Sequence, residues 1–186
     1  VAVVGERIWV VGTSGSGKTT TARRLADGLG LAHLELDSIY HQPGWTALPT
    51  SEFRSAVMGF VDADAWVVDG KYRAVRDLLM QRADTIVCLD HHRVRQTARV
   101  ARRSFVRSMK RVELWNGNRE RWRNLWPFGE PERTIVGWTW QNVPRARRLF
   151  DELEAGSGAG VRVVRLRGWP AIDAFVAETI GATREA

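Results

Sequence analysis

Eight consecutive residues carry the most specific chemistry in this chain. Gly12-Thr13-Ser14-Gly15-Ser16-Gly17-Lys18-Thr19 fits G-x-x-x-x-G-K-[ST] at every fixed position. Glycines at those places let backbone N–H groups converge on an anion with no Cβ in the way, and a helix that starts there adds the positive end of its dipole. Lys18 is expected to reach β- and γ-phosphates, and the Thr19 hydroxyl to ligate Mg²⁺. Gly12, Thr13, Ser14, Gly15, Ser16, Gly17, Lys18, Thr19 and Thr20 are therefore the expected nucleotide-binding residues, and a nucleoside triphosphate the expected ligand.

Two carboxylates are placed to serve that loop. Asp37 follows "HLEL" and Asp69 follows "AWVV", so both are expected at the carboxyl ends of strands, where open α/β sheets do their chemistry. Asp69 has the apolar-run-then-acid form that orients water on a magnesium ion, and Asp37 is expected to accept a proton from an acceptor hydroxyl or to hydrogen-bond it. A turn or helix-cap role is the plainer alternative for each. Asp90, also at a strand end, reads as the cap of the helix that follows.

The elements that must position these groups alternate. "RIWVV", "HLEL", "AWVVD", "DTIVCLD" and "VRVVRL" are short apolar runs of the kind found in buried parallel strands, each separated by helical material. The fold class is therefore α/β, with a parallel sheet of about five strands flanked by helices. After the loop, Thr19, Thr20, Ala22, Leu25, Ala26 and Leu29 give a helical stripe that stops at Gly28/Gly30. The helix near His92 is expected to bury Val94, Ala98, Ala101, Phe105, Met109 and Val112, with Arg95, Arg99, Arg103, Arg107 and Arg111 on another face. The last helix should start at Trp169-Pro170, bury Ile172, Phe175, Val176 and Ile180, and stop at Gly181.

Charge is concentrated rather than spread. The net charge is +7, yet His91 to Arg123 alone holds eleven Lys and Arg against two Glu, so the rest of the chain is about neutral. That stretch either binds something very negative or is a solvated basic face. Its carboxyl-terminal part runs into "LWNGNRERWRNLWPFGEP", where Trp115, Trp122 and Trp126 alternate with arginines. Aromatic residues of that kind anchor a mobile lid, pack a long loop, or stack nucleic-acid bases. One cysteine, Cys88, excludes an internal disulfide and suits a reducing cytosol. "VAVVGERIWVVG" does not read as a signal peptide and no apolar run approaches a membrane span, so a soluble, cytoplasmic protein is expected.

These residues also carry a resemblance. "WVVDGKYR" resembles the D-G-F-P-R stretch of adenylate kinases, with Lys71-Tyr72 in place of Phe-Pro, and "LDHHRVRQTARVARR" resembles the segment leading into their lid. "HLELDSIYHQPGW", "WVVDGKYR" and "WTWQNVPRARR" are similar to the DNA topology modulation proteins, which are adenylate-kinase-like small P-loop proteins. The resemblance implies the nucleoside monophosphate kinase type of fold over 1–186 as one domain, with an acceptor-binding insert at about 38–64 and a short lid at about 113–131. It implies ATP and Mg²⁺ as cofactors, with Thr19 and Asp69 at the metal. Arg99, Arg103 and one of Arg145, Arg147 or Arg148, with Arg145 taken first, would clamp the transferring phosphoryl group beside Lys18 and Asp37. Arg73 would contact the acceptor side, where Asp37, Tyr40, His41, Trp45, Arg54 and Tyr72 are the other candidates. The Lys71-Tyr72 departure leaves AMP as acceptor open.

The function expected is transfer of the ATP γ-phosphoryl to a nucleotide or other small acceptor. The alternative is a nucleic-acid-binding ATPase, for which the basic stretch argues. A GTPase is disfavoured, because no N-K-x-D motif for reading guanine occurs.

Overall fold

The computed structural model describes residues 5–120, 134–156 and 160–184. Strand β1 (Arg7–Val11) leads through the glycine loop into helix α1 (Lys18–Leu29), followed by β2 (His33–Glu35) and the short α2 (Leu36–Tyr40). A small hairpin, β3 (His41–Gln42) and β4 (Thr46–Ala47), turns through Pro43–Trp45 into α3 (Thr50–Val61). Then come β5 (Trp66–Asp69), a tight turn at Arg73–Val75, α4 (Arg76–Arg82), β6 (Thr85–Asp90) and α5 (Arg93–Met109). A second tight turn, Trp115–Gly117, precedes α6 (Ile135–Gly156), β7 (Arg162–Arg167) and α7 (Trp169–Arg184).

Five strands form one parallel sheet in the order β2-β5-β1-β6-β7. The register sets Glu35 beside Asp69 and Asp69 beside Val10, so the acids at the ends of β2 and β5 reach the sheet's edge next to the start of the loop. Side-chain alternation splits the core into two layers. Trp9, Val11, Trp66, Val68, Ile86 and Cys88 pack with Phe53 of α3 and Phe150 and Leu153 of α6. On the other face Ile8, Val10, Val67, Val87 and Leu89 pack with Leu25 of α1 and Ile172 and Val176 of α7. Fully burying each such side chain contributes about 1.5–3 kcal/mol, which fixes the strands that carry the loop and the acids. Among the described residues no helix is long and apolar enough to cross a membrane.

Three local expectations are corrected. Helix α5 buries Gln96, Val100 and Ser104, while Val94, Phe105, Met109 and Val112 are exposed. The reason is its neighbour: α5 lies against the glycine loop, which admits a valine methyl and hydrogen-bonding groups rather than an aromatic stripe. A Cβ on Gly15 would come within 2.4 Å of Val100 Cγ2. Gly181 does not stop α7, which continues to Arg184. A helical glycine costs about 1 kcal/mol, too little to end a helix whose Ile172, Phe175 and Val176 stripe is buried. Asp90 does not cap α5, whose N-cap is His92 without a side-chain bond. Its buried carboxylate instead accepts from Arg147 Nε at 2.9 Å and Arg165 Nε at 3.0 Å.

Candidate active site

The glycine loop is held open by its surroundings. Gly17 caps α1 in the left-handed conformation (φ 86°), and a Cβ there would lie 2.2 Å from the Trp169 ring. No side chain caps α1, so its first N–H groups face the concavity, an arrangement suited to an anion. Helix α5 braces the loop from outside. Gln96 Nε2 donates to Thr13 Oγ1 and, at 2.9 Å, to the Ser14 carbonyl, and Arg103 Nη2 donates to Ser14 Oγ at 3.0 Å. His91 Nε2 lies 2.9 Å from the Ser16 carbonyl, and burial lowers its pKa, so the neutral ring donates there. Ser16 Oγ is buried with no hydrogen-bond partner among the described residues.

The acids gather on the other side of Thr19. Its Oγ1 lies 3.1 Å from Glu35 Oε1 and 3.1 Å from Asp69 Oδ1, and His33 Nε2 lies 2.8 Å from Asp69 Oδ2. Asp69 is fully buried. A hydroxyl with two carboxylate oxygens is the hard-oxygen set that magnesium takes, completed by waters and ligand phosphates rather than by a full protein cage. No group of three or more His, Cys, Asp or Glu that could hold a metal occurs among the described residues.

Asp37 joins the loop to a separate aromatic cluster. Its Oδ2 pairs with Lys18 Nζ at 3.2 Å and its Oδ1 accepts from the Tyr72 hydroxyl at 2.5 Å, while His41 Nε2 lies 3.3 Å from the same phenol oxygen. Burial alone would raise the Asp37 carboxyl, but Lys18 and the Tyr72 hydrogen bond outweigh it and hold its pKa below the ordinary value. The Tyr72 phenol is pushed up, first by burial and then by Asp37. Tyr40 and Phe53 pack on Tyr72 with ring centroids 4.4 and 5.3 Å away. Trp45 and Trp115 lie 5.3 and 5.7 Å from the His41 ring.

Other expected site residues stand at varying distance from this centre. Arg54 is committed to Asp77 by two contacts of 2.7 Å and to the Ala74 carbonyl, which makes it a brace between α3 and α4. Arg73 is exposed at its tight turn. Trp45 is exposed too, and its backbone N–H donates to Asn118 Oδ1 at 2.9 Å. Asn116 Nδ2 reaches the carbonyls of Ser38 and His41 at 3.1 and 2.7 Å, so the first part of the expected lid is docked on the expected insert. Trp122, Trp126 and residues 121–131 of that lid lie outside the described residues.

The candidate arginines stand in different surroundings. Arg103 touches the loop. Arg99 stacks on Trp169, its Cζ 3.9 Å from the ring centroid, and both line a cavity of about 600 Å³ with Gly15, His91 and Gln96. Arg147 is taken by Asp90 and by the His91 carbonyl, whereas Arg145 and Arg148 are exposed on α6. Burial, Lys18 and Arg145 together bring the Lys71 ammonium down to about 8.

Sequence reasoning missed Glu35, His33, Lys71, Gln96 and His91. His33 and Glu35 sit two apart on one strand, and that shared face was a readable signal. Lys71 stands inside the quoted D-G-K-Y-R stretch. Nothing local marks Gln96 or His91.

No family model matches the chain, and no curated protein matches it. Solved structures do. A gluconokinase from Sinorhizobium meliloti 1021 matches at 18% identity and TM-score 0.54, over 99% of this chain and 94% of that one. A shikimate kinase from Acinetobacter baumannii, in complex with shikimate, matches at 18% identity and TM-score 0.56, over 97% and 94%. A kinase described as putative from Chloroflexus aurantiacus matches at 13% identity and TM-score 0.50, over 94% and 96%. At these identities the likeness reaches the fold and not the narrower resemblance to the DNA topology modulation proteins. The chain has the α/β fold of the small P-loop kinases, a five-stranded parallel sheet flanked by helices.

Proposed function

We propose that this chain is a small-molecule kinase that transfers the γ-phosphoryl group of ATP to a hydroxyl of a small acceptor. One observation carries the reading: Lys18 of the phosphate loop and Asp37 at the start of α2 meet at 3.2 Å, so the group that would hold the donor's phosphates touches the group that would hold the acceptor. In the reaction the acceptor oxygen bonds to the γ-phosphorus as its bond to the β,γ-bridging oxygen breaks. ADP leaves, and the hydroxyl proton passes to Asp37 or to solvent. Asp37 is a weak base with its pKa held down, so its main task is to orient the hydroxyl. Lys18 and Arg103 offset charge on the phosphates. Thr19 and Asp69, with Glu35, fit Mg²⁺, which when bound neutralises phosphate charge.

Residues 38–64 are proposed as the acceptor-binding insert and 113–131 as the lid, within one domain over 1–186, and a reducing cytoplasm suits the lone buried Cys88. The nucleic-acid alternative draws less support. Arg99, Arg103 and Arg107 are turned onto Trp169, Ser14 and Glu120 rather than offered as a free basic face.

The test is incubation with Mg-ATP and a panel of nucleoside monophosphates, sugar acids and small hydroxylated metabolites, scored by new phosphorylated product. One acceptor phosphorylated at least a hundredfold faster than ATP is hydrolysed supports the reading. ADP release with no phosphorylated product from any acceptor, stimulated by duplex DNA, would overturn it in favour of the ATPase.

A further inference from the structure

Two carbonyls of the glycine loop are held from the junction of β6 and α5. Gln96, buried on the inner face of α5, donates from Nε2 to the Ser14 carbonyl at 2.9 Å and to Thr13 Oγ1. His91, buried just ahead of that helix, meets the Ser16 carbonyl with Nε2 at 2.9 Å, and its ring lies 5.0 Å from that of Trp169. A carbonyl only accepts, so each of these nitrogens carries the hydrogen that points at the loop.

In a trans peptide the C=O of one residue and the N–H of the next point in opposite directions. A Ser14 carbonyl tied to Gln96 therefore turns the Gly15 N–H away from α5, and a Ser16 carbonyl tied to His91 does the same for the Gly17 N–H. Gly15 and Gly17 have φ of 74° and 86°, the left-handed conformation that lets alternate N–H groups of a loop converge. Neither of these N–H groups donates to any group among the described residues. Ser16 Oγ, between them, is fully buried and likewise without a partner there. Donors left unpaired beside a buried hydroxyl are costly unless an anion takes them.

We propose, resting on the kinase reading, that Gln96 and His91 are positioning residues of the donor site: by holding two alternate peptide planes they aim the Gly15 and Gly17 N–H groups at the nucleotide's phosphates before it arrives. Neither side chain touches the ligand. What they supply is a loop already in its binding conformation, so that less ordering has to be paid for on binding.

The experiment is calorimetry with Mg-ADP, whose β-phosphate the loop would hold, on wild type and four variants. Gln96→Met and His91→Phe keep the bulk and lose the donor, whereas Gln96→His and His91→Gln keep an Nε2 donor on a different frame. Loss of one hydrogen bond's hold on the loop predicts Mg-ADP affinity about tenfold weaker in each of the first two variants. The two donor-keeping variants should recover to within about threefold of wild type. Unchanged affinity in Gln96→Met and His91→Phe overturns the proposal. So does a loss that Gln96→His and His91→Gln do not recover, which marks side chains that act by packing alone. A wild type that does not bind Mg-ADP overturns the kinase reading first and this inference with it.

Discussion

Tyr72 donates its phenolic hydrogen to Asp37 across 2.5 Å, and it does so from the turn that follows β5, whose last residue, Asp69, lies 3.1 Å from the Thr19 hydroxyl. One turn of backbone, Asp69 to Tyr72, therefore ties the proposed metal side of the site to the proposed acceptor side. Burial opposes ionisation of Asp37, and Lys18 and Tyr72 overcome it.

Tyr72→Phe removes one of those two supports. With its pKa depressed, Asp37 is ionised to lower pH than an ordinary carboxylate; without Tyr72 its pKa rises and activity is lost earlier as pH falls. The acid limb of the pH–rate profile should move to higher pH in Tyr72→Phe, with a drop of about tenfold in kcat/KM at neutral pH. An unmoved acid limb would show that Asp37 does not govern turnover.

Asp37 and Asp69 should fail differently. Asp37→Asn is expected to bind Mg-ATP within about threefold of wild type and to lose at least about a hundredfold in transfer, the scale of a lost orienting or proton-accepting group. Asp69→Asn should instead raise the magnesium concentration needed for half-maximal turnover by about tenfold or more. Calorimetry of Mg-ATP with each variant, beside a magnesium titration of turnover, separates them. Equal loss of nucleotide affinity in both variants contradicts the division.

What the sequence made legible was what depends on near neighbours. The loop's glycines, Lys18 and Thr19 act within eight residues, and Asp69 follows an apolar run that could only be a buried strand. Asp37 was placed by the same argument. Long-range contact decided the rest. Helix α5 reads as amphipathic about Phe105 and Met109, yet it turns Gln96 and Val100 inward against the glycine loop, about eighty residues earlier in the chain. Arg54 looked like an acceptor contact, but whether Asp77 stands opposite it depends on how α3 and α4 pack. Lys71 was visible as a departure from a motif, though the influence of Lys18 and Arg145 on its ammonium needed three elements to be assembled.

Cys88 gives a test of the core. Its thiol is fully buried beneath α6 on β6, and burial, with Glu154 beside it, pushes its pKa up to about 12. Almost none of it is thiolate at pH 8, and the thiolate is the reactive form. An aromatic disulfide reagent at pH 8 should leave the native protein unlabelled for hours and label one thiol per chain within minutes in guanidinium chloride. Rapid labelling of the native protein would contradict the packing of β6 against α6.

In the proposed reaction the glycine loop holds the donor for a phosphoryl transfer completed at Asp37, and Lys18 is where the two halves touch. The most direct measurement is steady-state transfer from Mg-ATP to the best acceptor of the panel, with wild type and Lys18→Ala side by side at saturating ATP. A donor held through Lys18 predicts an unchanged fold by circular dichroism and a fall in kcat of about a hundredfold or more, roughly 3 kcal/mol of lost charge stabilisation. Near wild-type kcat in folded Lys18→Ala would contradict it.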